Sequence, residues 1–325
     1  MKNISFYSLL LMTGIWLSSC DADQVDNVDF DVTLAGNTQE IYVGDAVNFN
    51  FTGNPDYIVF YSGEEGSKYA NKDRLKVDVE SAELSYTIKQ QYTKPSFFNM
   101  EAMSIYISED FNSDYSTTGL DKATWLKLSG QEEGQLKVPF PTKDETIFVS
   151  DKMDFSAYKD KKFYLAFQYH LPAAVAEGKT TTHPRVDVLP LVLTKTLADG
   201  STAILNNPKA AFGFSFVYVK VQKEANFSAG DASLLFQPGD YNFTSTNAAL
   251  EVDVWSISQQ IDLTAVSPDM GTPIKSLNMT TDSYMYTYTQ PGEYTATFVA
   301  QNANEWNSKS VVREMKIVVK AKLAE

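Results

Sequence analysis

Phe163-Tyr164-Leu165-Ala166-Phe167-Gln168-Tyr169-His170 sets Phe163, Leu165, Phe167 and Tyr169 against Tyr164, Ala166, Gln168 and His170. An extended chain sends successive side chains to opposite faces, so a period of two reads as a β-strand. The same period recurs from residue 29 to the end. Val47, Phe49 and Phe51 share a face against Asn48 and Asn50, Ile105 and Ile107 flank Tyr106, and Tyr284, Tyr286 and Tyr288 repeat the theme, as do Tyr294, Ala296 and Phe298. The longest run is Phe212-Gly213-Phe214-Ser215-Phe216-Val217-Tyr218-Val219. An amphipathic helical stripe of three turns is nowhere found; Ala173-Ala174-Val175-Ala176 makes at most one turn. The expected class is all-β.

Composition agrees. Of 325 residues, 43% are hydrophobic and 21% charged, enough apolar surface to build a core and escape disorder. The 18 Tyr and 20 Phe favour pleated, half-buried surfaces over helices. Lys and Arg number 27 against 41 Asp and Glu, a net charge of −14. Such a chain repels phosphate backbones, so nucleic acid is excluded as a partner. Two histidines, His170 and His183, and the single Cys20 leave little for zinc or disulfide chemistry. The catalytic templates His-Glu-x-x-His, Gly-x-Ser-x-Gly, a phosphate-binding loop and Cys-x-x-Cys are missing, and the expectation is a non-enzymatic protein.

Residues 1–19 read as an export signal: Lys2 supplies the positive start, and Ile4 to Trp16 is apolar but too short for a comfortable membrane span. Leu17-Ser18-Ser19-Cys20 resembles a bacterial lipobox, in which the cysteine sulfur takes a diacylglycerol and becomes the first residue. Residues 20–28 then form an acidic tether, Asp21-Ala22-Asp23-Gln24-Val25-Asp26-Asn27-Val28, which self-repels and extends. That tether resembles the surface-export signal of Bacteroidetes lipoproteins. The resemblance implies an outer-membrane anchor through Cys20, with the protein facing the cell exterior.

Val43-Gly44-Asp45, Pro238-Gly239-Asp240 and Pro291-Gly292-Glu293 each precede a strand, and Pro-Gly suits the middle of a type II turn. The echo between the first two predicts β-sandwich modules in three consecutive blocks: 29–90 immunoglobulin-like, 91–223 different, and 224–325 immunoglobulin-like again. Gln290-Pro291-Gly292-Glu293-Tyr294-Thr295-Ala296-Thr297-Phe298 resembles a strand of the polycystic-kidney-disease (PKD) type of immunoglobulin-like domain, although that family's Trp-Asp-Phe-Gly-Asp-Gly segment is missing. The middle block resembles a galactose-binding-like jelly roll through Ser104-Ile105-Tyr106-Ile107-Ser108-Glu109-Asp110-Phe111 and Ala123-Thr124-Trp125-Leu126. As a whole, residues 20 to about 220 resemble an uncharacterised Bacteroidetes lipoprotein domain of unknown function, carried by Gly53-Asn54-Pro55-Asp56-Tyr57-Ile58-Val59-Phe60-Tyr61. Its family company, the starch-utilisation (Sus)-like glycan-uptake systems, implies a glycan ligand and a TonB-dependent transporter as partner. The alternative is a surface adhesin or scaffold that binds protein.

Sugar rings stack on exposed aromatics, and amides serve their hydroxyls. Trp255 lies in the alternating run Val252-Asp253-Val254-Trp255 and reads as core. Trp306, with Asn304, occupies a polar hairpin loop, and either ligand contact or packing on its own sheet suits it. Trp125 and Tyr115 in the middle block are further ligand candidates, with packing the competing role. Asp56, Glu64 and Glu65 could offer oxygens to a structural calcium ion, or simply be solvated turn charges. No other cofactor is expected.

Overall fold

The computed structural model describes residues 24–36, 40–175, 182–220, 226–238 and 248–322. Cys20, the export signal and residues 239–243 of the echo lie outside the described residues. Along the chain come β1 (Phe30–Leu34), β2 (Ile41–Tyr42), β3 (Ala46–Gly53) and β4 (Tyr57–Tyr61). Next are β5 (Val79–Gln91), β6 (Met103–Ser108), α1 (Thr117–Lys122), β7 (Leu126–Lys127), β8 (Ile147–Asp154), β9 (Lys162–Leu171), β10 (Ala174–Val175) and β11 (Arg185–Leu197). They are followed by β12 (Thr202–Leu205), β13 (Ser215–Lys220), β14 (Asn226–Ala229), β15 (Leu234–Gln237), β16 (Ala248–Ala249), β17 (Val252–Ile257) and β18 (Ile261–Asp262). The chain closes with β19 (Thr272–Lys275), β20 (Ser283–Thr287), β21 (Gly292–Ala303) and β22 (Ser308–Lys320). The protein is all-β, built of sandwiches.

Two compact units divide it. Unit 1 joins the chain up to Arg74 with the chain from Ser267 onward, and unit 2 is Leu75–Val266. This corrects the three consecutive blocks. The physical reason is strand partnership: β4 finds its neighbours β19 and β21 near the far end of the chain, whereas β5, placed in the first block, pairs with β8 and β11. Likewise β17, placed in the last block, pairs with β9 and β13. The two ends therefore make one sandwich between them, and unit 2 is an insertion in sequence between β4 and β19.

In unit 1 a sheet of order β1-β3-β20 packs on a sheet of order β19-β4-β21-β22-β2, in which β2 runs parallel to β22. That strand order is immunoglobulin-like. Its core is aromatic: Phe298 of β21 lies 5.0 Å from both Phe49 and Phe60, and 5.4 Å from Phe51. Tyr294 donates its hydroxyl to the Gln290 carbonyl at 2.9 Å, the tyrosine corner of such sandwiches. Gly44 takes the left-handed φ of 84°, but Gly292 does not, so Pro291-Gly292 opens β21 without a type II turn.

Unit 2 faces a sheet of order β14-β15-β11-β5-β8 against one of order β13-β17-β9-β6-β7. Its core takes Leu84, Tyr86 and Ile88 from β5 and Phe163, Leu165, Phe167 and Tyr169 from β9, as the period of two requires. The run from Phe212 is not one strand. Gly213 takes a φ of 59°, the Phe212 and Phe214 amides bond to Asn207 and Pro208 carbonyls, and β13 starts only at Ser215. Tyr164 and Ala166, on the second face of β9, are also buried, because the segment carrying Phe111, Tyr115, α1 and Trp125 folds over them. Ser116 caps α1 by accepting the Gly119 N–H at 3.2 Å. Half of this sheet's outer face is thus roofed, and half is open.

Candidate functional site

The open half is built by register. Gln168 of β9 lies between Ser104 of β6 and Trp255 of β17, Tyr106 is opposite Ala166, and His170 is opposite Asp253. Of these side chains Ser104, Tyr106, Gln168, His170 and Asp253 are at least partly exposed, while Ala166 and Trp255 are buried. Tyr106 donates its hydroxyl to Gln168 Oε1 at 3.1 Å, and Gln168 Nε2 donates to Asp253 Oδ1 at 2.8 Å. A charge-assisted bond of this kind fixes the amide's orientation. At the rim His170 Nε2 is 3.5 Å from Glu251, and Lys220 bonds to the same carboxylate at 2.5 Å. The Lys220 bond holds Glu251 below the usual carboxylate range.

Aromatic rings border this floor. Tyr106 and Trp255 lie 4.7 Å apart with planes 34° from parallel, and Trp125 is 5.3 Å from Trp255. Trp255 is buried, at 8% exposed, while Tyr106 and Trp125 are half-buried and keep part of their surface toward solvent. The roofing segment is clamped by Asp110, whose Oδ1 accepts the Thr124 N–H at 2.8 Å and the Ser108 hydroxyl at 2.9 Å. Those bonds, the Thr124 N–H foremost, pull the Asp110 carboxyl down. A cavity of about 260 Å³, lined by Ile107, Asp110, Leu126 and Tyr158 among others, adjoins the clamp. Ring faces beside a fixed amide and carboxylate can hold a flat polyhydroxylated molecule by stacking and hydrogen bonding.

The structure brings Trp125 and Tyr115 together around Phe111. Their polar ends are spent internally: Trp125 Nε1 donates to the Leu120 carbonyl at 3.1 Å, and the Tyr115 hydroxyl to the Ser258 carbonyl at 3.0 Å. Burial raises the Tyr115 phenol above its ordinary range. Both residues shape the roof. Gln168, Asp253 and Ser104 were not singled out from sequence. The available signal was a polar amide on the central strand, level with a tryptophan that alternation assigns to its neighbour.

Trp306 and Asn304 belong to unit 1, at the tip of the β21–β22 hairpin. Trp306 is 67% exposed. Asn304 Oδ1 accepts the N–H groups of Trp306 at 3.0 Å and Asn307 at 2.7 Å, which makes the tip a fixed turn. Asp56, Glu64 and Glu65 are not brought together. Asp56, before β4, accepts the Ala303 N–H at 3.1 Å; beyond the other end of β4, Glu64 takes the Tyr286 hydroxyl and Glu65 the Lys68 ammonium at 2.7 Å. Among the described residues no group of three or more metal-ligating side chains converges.

A family model described as a domain of unknown function, DUF5017, matches residues 19–212, more than half of the chain. No curated protein matches it. The match starts within the first segment of unit 1, runs through β1–β4 and stops inside unit 2, so it covers parts of both units. The chain belongs to the DUF5017 family.

Proposed function

We propose that this is a lipid-anchored outer-membrane protein that binds glycan on the open face of unit 2 and serves a TonB-dependent uptake system of the Sus-like kind. The observation that carries the binding reading is the row Tyr106–Gln168–Asp253: the partly exposed rings of Tyr106 and Trp125, backed by the buried Trp255, next to an amide and a carboxylate held in place. The half-roofed sheet leaves a floor on which a sugar chain can lie across the strands. The anchor and the exterior location rest on Leu17-Ser18-Ser19-Cys20 and the acidic tether.

Affinity electrophoresis through gels containing a panel of polysaccharides tests the binding. At least one polysaccharide should retard the wild-type chain. Tyr106→Ala should lose most of that retardation, because one ring stacked on a sugar contributes on the order of 1 kcal/mol and the Gln168 amide loses its positioning bond. Wild-type mobility that no polysaccharide changes would contradict the reading.

The anchor has its own test. Cys20→Ala removes the only acylation site, so the chain should leave the outer-membrane fraction after salt and carbonate washing. Retention of that variant in the membrane would overturn the lipobox.

A further inference from the structure

We propose that the tip of the β21–β22 hairpin is the membrane-facing end of unit 1, and that Trp306 seats its indole among the headgroups of the bilayer that holds the acylated Cys20. This rests on the lipid-anchor reading above. The starting point is where the tether meets the fold. Asn304 Nδ2 donates to the Gln24 carbonyl at 3.4 Å, and Asn302 Nδ2 reaches the carbonyls of Asp26 and Asn27, each at 3.3 Å. Lys309 Nζ donates to Asn27 Oδ1 at 3.1 Å, and Val25 is 8% exposed. The segment 24–27 is therefore fastened along the hairpin just below its tip.

Asp56 fixes the fastener. Its N–H donates to Asn302 Oδ1 at 3.0 Å while its carboxylate takes the Ala303 N–H. The orientation of Asn302, and with it the course of the tether, follows from a bond network within unit 1.

Covalent geometry then limits the distance to the lipid. Four residue steps separate Cys20 from Gln24, and an extended chain covers at most about 14 Å over that length. The headgroup layer of one leaflet is itself about 5–7 Å deep. Whatever path residues 20–23 take, the hairpin tip stays within a short reach of the lipid-bearing sulfur.

The side chain at the tip has the chemistry for that location. An indole is an apolar body with one N–H donor, and tryptophan concentrates where one side is hydrocarbon and the other is wet. Trp306 is exposed on a turn that Asn304 holds rigid, with the neutral amide of Asn307 and the hydroxyl of Ser308 following it. Of the exposed side chains in this turn, Glu305 carries a charge that stays with water, and the uncharged indole is the one suited to the headgroup layer.

The test uses the mature lipoprotein, purified in detergent and reconstituted into phosphatidylethanolamine vesicles doped with phosphatidylcholine brominated near the headgroup. Signal removal takes Trp16 away and leaves Trp125, Trp255 and Trp306 as emitters. Sedimentation reports the anchor, and bromine quenching reports contact of an indole with lipid. The expected result is that wild type and Trp306→Ala both sediment with vesicles, while bromine quenches part of the wild-type emission and none of the variant's. A wild-type chain that sediments unquenched overturns this proposal and leaves the anchor standing. Quenching that persists in Trp306→Ala assigns the contact to another ring and overturns it equally. A wild-type chain that does not sediment overturns the anchor, and the proposal with it.

Discussion

Replacing Phe298 with Ala is expected to destabilise unit 1 by about 3–5 kcal/mol, the cost of truncating a fully buried phenylalanine. Phe298 has no exposed surface and touches Phe49, Phe51 and Phe60, which arrive from the other end of the sequence. Each aromatic pair adds roughly 0.5–1.5 kcal/mol beyond burial, so the loss falls at the upper end of that range. Calorimetry should show one transition lowered by on the order of 10–20 °C, and a second, belonging to unit 2, in place. Phe298→Leu should cost much less, since most of the volume survives. A change below about 1 kcal/mol for Phe298→Ala would place that ring outside a core and contradict the assembly of one sandwich from both chain ends.

The second large effect is an acid sensitivity seated in unit 2. His183 is 5% exposed and stacks on Phe97 at 4.8 Å, with planes 27° from parallel. Burial pulls its pKa down to about 4, and the Pro172 carbonyl offsets only part of that. In the unfolded chain the imidazole takes its proton near the ordinary value of about 6.5. Between those two values the unfolded state binds more protons, so stability is complete above about pH 6.5 and is lost as pH falls toward 4. At about 1.4 kcal/mol per pKa unit the loss comes to about 3 kcal/mol. Carboxylates titrate in the same window, and a difference removes them. Urea unfolding at pH 7 and pH 4 should show wild type losing about 3 kcal/mol more than His183→Leu. Equal losses in the two chains would mean that His183 is protonated in the fold at little cost.

Much of the fold is legible in the alternation, because burial of one sheet face writes itself directly into sequence. The inward residues of β9 and β5 follow it. Partnership does not, since Tyr57-Ile58-Val59-Phe60-Tyr61 states that it is a strand and says nothing of pairing with β21 more than two hundred residues away. The three-block division failed for that reason, by assuming that neighbours in sequence are neighbours in space. Phe212–Phe214 misled differently: two buried rings at a spacing of two look like a strand, but Gly213 turns the backbone and both rings reach the core from a loop.

At the candidate site, the aromatic residues stood out and the polar ones did not. Trp125 attracts notice by its size, yet its N–H is taken by Leu120, and the partly exposed polar groups on the sheet are Gln168 and Asp253. An isolated Gln in a strand gives no signal until register sets it beside Trp255. The exposure of Trp306, in contrast, follows from its company of Asn and Glu residues in a hairpin loop. Its relation to the tether depends on backbone carbonyls at Gln24, Asp26 and Asn27, which sequence does not display.

The most direct measurement is a calorimetric titration of an oligosaccharide, cut from whichever polysaccharide retards the protein, into wild type, Tyr106→Ala and Trp306→Ala. The predicted result is saturable heat of binding with equal affinity for wild type and Trp306→Ala, and an affinity several-fold weaker for Tyr106→Ala, matching on the order of 1 kcal/mol of lost stacking. Undiminished binding by Tyr106→Ala, or its loss in Trp306→Ala, would contradict a glycan face on unit 2.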